Sequence, residues 1–168
     1  MAGCSLIIAP APDGLFGAFL ALIVFAIAIN DARDYTIPDA LTAAAAALAL
    51  VRAGIVGPDA GVEAIGWVLL RSAATALPLL LMMIGYRRLR GRDGMGLGDV
   101  KLAAVAGLWL DWVTIFAVIE LAALAGLGAY LVAGRLRRRP LKATAFLPFG
   151  LFLAPAIWIG WFGEALLL

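Results

Sequence analysis

Six long apolar runs, separated by short polar segments, constrain this chain more than any other feature of its sequence. A helix needs about 20 mostly apolar residues to cross a bilayer. Hydrophobic residues make up 65% of the 168 residues and charged residues only 14%, whereas a soluble domain carries about 25% charged residues. The sequence therefore predicts an all-α polytopic membrane protein of about six transmembrane helices in a single domain, residues 1–168. The predicted spans are approximately residues 14–30, 38–54, 66–86, 99–110, 112–134 and 146–168.

The basic residues predict how the chain is oriented in the membrane. They concentrate in alternate loops, whereas the intervening loops carry Arg52 together with Asp59, Glu63 and Asp111. Since short loops rich in Lys and Arg stay in the cytosol, we expect the basic loops on the cytosolic side and both termini on the other side. The basic residues of those three loops are Arg33, then Arg87, Arg88, Arg90 and Arg92, then Arg135, Arg137, Arg138, Arg139 and Lys142.

The residue types that are missing exclude several kinds of site. The chain has no histidine and one cysteine, Cys4, so an intramolecular disulfide and a Cys/His zinc site are both excluded. Serine or cysteine proteolysis that uses a histidine base is excluded for the same reason. A pair of Ser72 and Lys101 stays open in principle, but the predicted topology places Ser72 nearer the outer side. Aspartates are the remaining candidates for hydrolytic chemistry.

Two acidic residues lie at predicted helix ends on the same side of the membrane. Asp31 follows the first span and Asp99 begins the fourth, so the two carboxyl groups are expected at similar depth. Ionisable groups near the apolar core cost at least about 2.5–3.5 kcal/mol each and are candidates for function. Two carboxyl groups that meet in a partly desolvated site share one proton, so one can activate water while the other polarises a carbonyl. The glycines of residues 94–98 let a substrate backbone approach closely.

Structural explanations exist for each of these acidic residues. Asp99 after Gly98 is a typical helix N-cap, and Asp31 and Asp34 beside Arg33 are compatible with a solvated helix end.

Other notable residues have structural explanations as well. Lys101 either extends toward lipid headgroups or alters the pKa of the nearby carboxyl at residue 99. Glu120 is expected to pair with a polar neighbour inside the bundle rather than to act chemically. Pro38 fits the first turn of the second span. The basic loops serve most simply as topology determinants and lipid contacts.

Three motifs in order along the chain resemble one known family. They are Asp31-Ala-Arg33-Asp-Tyr-Thr-Ile37-Pro38-Asp39, then Gly96-Leu-Gly98-Asp99-Val-Lys101, then Pro148-Phe-Gly150 within FLPFGLFLAPA. The combination resembles the type IV prepilin peptidases, aspartyl proteases of the GxGD class. A GxGD sequence alone is a weak signal. The three motifs in this order over six predicted spans are a strong one.

The resemblance implies an activity and a set of site residues. It implies hydrolysis of the bond between the short basic leader and the hydrophobic segment of prepilins or pseudopilins, at the cytosolic face of the bacterial inner membrane. Neither a cofactor nor a nucleic-acid partner is implied. Asp31 and Asp99 match the two catalytic aspartates. Supporting positions of the motifs are matched by Arg33, Pro38, Gly96, Gly98 and Lys101.

Electrostatics suggest how a basic leader is attracted to such a site. Acidic groups such as Asp34, Asp39 and Asp93 lie in or beside the same motifs and are candidates to draw the leader's positive charges.

The chain departs from the longer members of the family it resembles. Those members have an N-terminal cytosolic domain with paired cysteines and also N-methylate the trimmed pilin. Here the first span begins at about residue 14 and paired cysteines are missing, so we expect a peptidase-only form similar to those that serve Flp/Tad-type pili. Asp39 replaces the Asn that often follows Ile-Pro.

Two other functions are compatible with parts of the sequence. A signal-peptide-peptidase or presenilin-like protease shares GxGD, but it has its first aspartate within a helix and carries a Pro-Ala-Leu motif, which this chain lacks. A small transporter or assembly factor is the non-enzymatic alternative, in which Asp31, Asp99 and Glu120 bind ions or protons along a path.

Overall fold

The computed structural model describes Gly3 and residues 12–56, 59–91, 96–136 and 148–167. Within these residues the chain forms helices and no strand, which confirms the all-α prediction. We number the six long helices in chain order. They are α1 (Asp13–Asp34), α2 (Asp39–Ile55), α3 (Val62–Arg90), α4 (Leu97–Trp109), α5 (Trp112–Leu136) and α6 (Phe149–Leu167).

Four of these helices, α1, α3, α5 and α6, are long and apolar enough to cross a membrane. The helix α3 shows most clearly what surrounds them, because Val68 is its one buried residue and large apolar side chains such as Leu81 and Met82 are exposed. An apolar helix that buries so little against protein is suited to lipid contact. The helix α4 has 13 residues and, at 1.5 Å per residue, is about 20 Å long, shorter than the hydrocarbon core of about 30 Å.

The short helix α4 lies at the centre of the bundle. It contacts α2, α3, α5 and α6, and eight of its 13 residues are buried. Trp109 near its end is 1% exposed and donates a hydrogen bond from Nε1 to the Ala45 carbonyl of α2 at 3.0 Å. The helix α1 packs mainly against α2 and α6. Therefore α2 and α6 are the helices that join α1 to α4.

Glycines allow several of these helices to approach closely. A Cβ added at Gly107 of α4 would lie 2.6 Å from the Cα of Ser72 in α3, so a larger residue has no space there. Gly17 of α1 similarly faces the ring of Trp161 in α6, which would overlap such a Cβ. Small residues commonly allow this close packing between membrane helices.

Ion pairs join the helices at the end of the bundle where α1 begins. Arg52 of α2 pairs with Asp13 of α1 at 2.6 Å, and Arg71 of α3 pairs with Asp111 after α4. The Asp111 N–H also donates to Glu164 Oε1 at 2.8 Å. The candidate acidic residues Asp31 and Asp99 lie at the opposite end.

The position of Ser72 agrees with the expectation that it does not reach Lys101. Ser72 packs beside Gly107, which is six residues beyond Lys101 on the same helix and therefore about 9 Å further along its axis.

Replacing Gly107 with valine should destabilise the bundle. The added side chain would overlap the α3 backbone at Ser72, and overpacking of this kind typically costs about 1–3 kcal/mol. The melting temperature in detergent should fall. Gly128→Val on α5 is the matched control, because a Cβ added at Gly128 meets no atom within 4 Å. Equal melting temperatures for the two variants would contradict the close α3–α4 packing.

Candidate active site at the end of the bundle

Asp31 lies in the last turn of α1, and its side chain points into the protein. The helix ends at Asp34. Tyr35, its C-cap, adopts a left-handed backbone with φ 53° and donates its N–H to the Asp31 carbonyl at 3.1 Å. Asp31 is only 5% exposed, and its Oδ2 accepts the N–H of Leu151 at 2.8 Å. Leu151 is the third residue of α6, so Asp31 binds one of the N–H groups that a helix start leaves without an internal partner.

Asp99 lies in the first turn of α4, but it is not the N-cap. Gly96 occupies that position with an extended backbone, φ −75° and ψ 147°. The N-cap interpretation of Asp99 is therefore wrong, and the reason is that α4 begins at Leu97. Asp99 is the third helical residue, from which a carboxyl group reaches back to the N-cap N–H, as in a capping box. A backbone hydrogen bond from Gly96 to Asp99 is present.

The surroundings of Asp99 change its acidity. Burial, and after it the nearby Asp31 carboxyl, raise the pKa of Asp99 to about 6 from an ordinary 3.8, whereas the hydrogen bond from Gly96 acts in the opposite direction. Burial favours the neutral form of a carboxyl group, and so does a second acidic group at short range. The two carboxyl groups therefore influence each other electrostatically across the site.

Both aspartates line one open cavity of about 270 Å³ at this end of the bundle. The cavity lies between the loop that joins α1 to α2 and the start of α4. Its lining residues are Asp31, Tyr35, Thr36, Ile37, Asp39, Gly96, Leu97, Gly98 and Asp99. The geometry brings two carboxyl groups, two glycines and a polar loop to one place that solvent can reach. Their catalytic roles stay predictions.

Lys101 takes a different partner from the one that its spacing suggests. Its Nζ donates to Asp39 Oδ1 at 2.6 Å, which joins α4 to the start of α2 beside the cavity. The pKa of Asp99 is shifted by burial, by the Asp31 carboxyl and by the hydrogen bond from Gly96, and not by Lys101. Lys101 therefore acts here as an ion-pair partner of Asp39.

Pro38 and the remaining motif residues lie around the same loop. Pro38 is the N-cap of α2, with φ −64° and ψ 131°, so it precedes the first turn rather than lying within it. Its carbonyl accepts the N–H of Leu41 at 3.1 Å. Arg33 and Asp34 are exposed in the last turn of α1. The predicted contribution of Asp93 lies outside the described residues.

Glu120 does not belong to this site. It is exposed on α5, nine residues into a helix that begins at Trp112, and among the described residues it has no hydrogen-bond or ion-pair partner. The prediction that it pairs inside the bundle is wrong, because the face of α5 that packs on the core is the one with Ile115, Val118 and Ala122.

The partner of Asp31 is the feature that the sequence alone did not predict. In the sequence the motif Pro148-Phe-Gly150 contributes only to a resemblance. A signal was nevertheless available, since a proline directly before an apolar helix marks a helix start whose first N–H groups need acceptors. The helix α6 begins at Phe149, directly after this proline.

Comparison with known proteins identifies the family of the chain. The family model described as the type IV leader peptidase family matches residues 18–131, more than half of the chain. The chain belongs to the type IV leader peptidase family. Its membership and its four long apolar helices make it a multi-pass membrane protein.

Individual relatives show the same similarity. The chain is 31% identical over 153 residues to a prepilin leader peptidase/N-methyltransferase of Aeromonas hydrophila, covering 90% of this chain and 50% of the relative. It is 32% identical over 145 residues to leader peptidase HopD of Escherichia coli, covering 86% of this chain and 88% of the relative. A third relative, the prepilin leader peptidase/N-methyltransferase of Dickeya chrysanthemi, is 34% identical over 142 residues.

These relatives differ in length from the region that they share with the chain. The chain spans about half of the Aeromonas and Dickeya proteins, 50% and 48% of their respective lengths. No solved structure matches the chain.

The raised pKa of Asp99 predicts how stability depends on pH. Because its folded pKa of about 6 exceeds the ordinary 3.8, stability from this group is full below about pH 4 and is lost as the pH rises toward 6. Asp99→Asn, which stays neutral, should therefore raise the free energy of unfolding at pH 7.5 by at most about 3 kcal/mol. Its melting temperature at that pH should rise accordingly. The gain should disappear at pH 4.

The control for this measurement is Asp59→Asn, which changes an exposed carboxyl outside the cavity. Melting curves of both variants and the wild type are compared at pH 4 and pH 7.5. A rise in melting temperature for Asp99→Asn that is the same at both pH values would contradict the raised pKa of Asp99.

Proposed function

We propose that the chain is an aspartyl endopeptidase that removes the short basic leader from prepilins or pseudopilins at the cytosolic face of a bacterial inner membrane. The observation that carries the proposal is the single cavity lined by both Asp31 and Asp99. Its relatives named prepilin leader peptidase or leader peptidase support the same activity.

The proposed reaction uses the two carboxyl groups as a pair with one proton. The ionised carboxyl takes a proton from a water molecule, and the oxygen of that water attacks the peptide carbonyl carbon. The protonated carboxyl donates a hydrogen bond to the carbonyl oxygen as negative charge develops there. The carbon–nitrogen bond then breaks as the leaving amine receives a proton from the pair. No covalent enzyme intermediate forms, so the chemistry does not need a nucleophilic side chain.

The shape of the cavity suits an extended peptide. Gly96 is extended and Gly98 lies beside it without a side chain, and both line the cavity with Asp99. A substrate backbone can therefore approach the carboxyl groups along the start of α4. Asp39 at the rim has a side chain that is 78% exposed, so it is available to attract basic residues of a leader despite its ion pair with Lys101.

The basic residues support a cytosolic location for the site. Successive helices alternate in direction, so α1, α3 and α5 end where α2, α4 and α6 begin. The last turns of these three helices carry Arg33, then Arg87, Arg88 and Arg90, then Arg135. They lie at the same end of the bundle as the cavity, and the positive-inside rule assigns that end to the cytosol.

The positions of the acidic residues disfavour the transporter alternative. A path for ions or protons through the bundle needs its acidic groups to face a common interior. Asp31 is buried beside the cavity, whereas Glu120 is exposed on α5 and does not line that cavity. The peptidase therefore accounts for the two aspartates without assigning a role to Glu120.

Substitution of either aspartate should abolish leader removal. Acid–base catalysis by a positioned side chain contributes about 10²–10⁴-fold, so Asp31→Asn and Asp99→Asn should each lower the cleavage rate at least about 100-fold. The assay uses purified protein in liposomes and a prepilin with a basic leader that ends before a hydrophobic segment. A gel shift measures the rate, and mass spectrometry identifies the bond that is cut.

Glu120→Gln is the matched control, because it also neutralises a carboxyl group in an apolar helix but lies away from the cavity. It should cleave at the wild-type rate. Normal cleavage by both aspartate variants would refute the proposed function. A wild-type protein that cleaves no prepilin would favour the transporter or assembly factor instead.

A further inference from the structure

The side chain of Ile37 lies between two glycines that belong to different helices. A Cβ added at Gly98 of α4 would lie 3.0 Å from Ile37 Cβ. A Cβ added at Gly150 of α6 would lie 2.7 Å from Ile37 Cδ1. Both distances are below normal contact between carbon atoms, so Ile37 fits in this place only because each neighbour lacks a side chain. We call Gly98, Ile37 and Gly150 the clasp.

Each glycine of the clasp directly precedes a residue that carries or binds one of the two carboxyl groups. Gly98 directly precedes Asp99. Gly150 directly precedes Leu151, whose N–H binds Asp31 Oδ2 at 2.8 Å. Asp31 Oδ2 itself would lie only 3.0 Å from a Cβ at Gly150. Ile37 therefore packs against the segment that carries one carboxyl and against the segment that anchors the other.

The packing of the helices makes this contact more important. The helix α1, which carries Asp31, packs mainly on α2 and α6, whereas α4, which carries Asp99, packs on α2, α3, α5 and α6. The two helices that carry Asp31 and Asp99 are thus held together largely through other elements. The loop that contains Ile37 contacts both the start of α4, at Gly98, and the start of α6, at Gly150.

The backbone on both sides of Ile37 is restrained. Tyr35 adopts a left-handed conformation with φ 53°, and its N–H bonds to the Asp31 carbonyl at 3.1 Å. Pro38 has a φ locked by its ring and caps the start of α2. The short loop therefore presents Ile37 to the two glycines from a defined position.

We propose that Ile37 is a positioning residue that sets the separation of the Asp31 and Asp99 carboxyl groups by packing between Gly98 and Gly150. Its effect on rate rests on the proposed peptidase function, whereas its effect on the carboxyl groups does not. The side chain is half-buried and packs against the hydrophobic core. It belongs to the wall of the cavity and takes no part in bond making or breaking.

Shortening Ile37 should impair catalysis more than substrate binding. Ile37→Ala removes the atoms that separate the start of α4 from the start of α6, so both carboxyl groups can shift. Small misplacements of reacting groups lower rates by about 10- to 100-fold. We expect a fall of that size in kcat for prepilin cleavage, with KM changed less than about threefold, because the carboxyl pair acts mainly in the transition state.

A pair of substitutions tests the contact directly. Gly150→Ala should lower kcat, since its methyl group would overlap Ile37 Cδ1 at 2.7 Å. Ile37→Val removes that atom, so the double variant should recover at least half of the logarithmic loss in kcat. Recovery is expected to be partial because the new methyl group also lies 3.0 Å from Asp31 Oδ2.

The second glycine provides a matched control for this rescue. A Cβ at Gly98 would lie 3.0 Å from Ile37 Cβ and 3.3 Å from both Cγ1 and Cδ1. Valine lacks Cδ1 but retains Cβ, the nearest of these atoms, and Cγ1. Ile37→Val should therefore rescue Gly150→Ala but not Gly98→Ala. General loosening of the protein would affect both glycine variants alike and would not distinguish them.

A measurement without substrate separates this inference from the proposed function. Infrared spectra of the carboxyl C=O stretch, recorded against pH, follow the protonation of Asp99, and the Asp99→Asn spectrum identifies its band. Burial raises the pKa of Asp99 to about 6, and Ile37→Ala admits water to that site. The pKa of Asp99 should therefore fall toward its ordinary value in Ile37→Ala.

The outcomes are distinct for the two claims. A wild-type protein that cleaves no prepilin, but whose Asp99 titration shifts in Ile37→Ala, would refute the peptidase and retain the clasp. An Ile37→Ala protein with unchanged titration and unchanged kcat overturns the clasp. So does a double variant that cleaves no faster than Gly150→Ala alone, a result that decides the matter even where Ile37→Ala fails to fold.

Discussion

The hydrogen bond from the Leu151 N–H to the Asp31 carboxyl is the interaction on which the arrangement of this protein depends. It joins residues 120 positions apart, one in the last turn of α1 and one in the first turn of α6. A carboxyl group that is only 5% exposed needs such a donor, because unpaired burial of a polar group is strongly unfavourable. The start of a helix also needs an acceptor for its first N–H groups. The Asp31 carboxyl and the start of α6 therefore each supply the hydrogen-bond partner that the other needs.

Close helix contact and the placement of the two carboxyl groups have the same origin in this fold. Glycines let the helix ends approach one another, and at the cavity they let Ile37 lie against both α4 and α6. The resulting site is partly shielded from water, which raises the pKa of Asp99 to about 6. Such an arrangement sacrifices some stability, since a neutral side chain would fit the same place better at neutral pH. The same burial favours a protonated carboxyl beside an ionised one, and a pair that shares one proton can serve as both acid and base in hydrolysis.

Much of the architecture was predictable, and the errors have identifiable causes. Apolar runs and turn residues predict the helices, and the absence of histidine leaves the aspartates as candidates for hydrolysis. The N-cap interpretation of Asp99 failed because α4 begins two residues before it, a shift that local propensity does not resolve. The interior placement of Glu120 failed because α5 is apolar around nearly its whole circumference, so its sequence does not reveal which face packs on protein.

By itself, the sequence determined the membrane class, the helical content and the two aspartates as candidates, because these follow from composition, run length and the available functional groups. Tertiary structure alone decided that Asp31 pairs with Leu151, that Lys101 pairs with Asp39, and that Ile37 lies between Gly98 and Gly150. Each of these contacts joins residues far apart in the chain. Their geometry depends on how the helices pack, and helices that are uniformly apolar encode that packing in the shapes of side chains rather than in a periodic pattern.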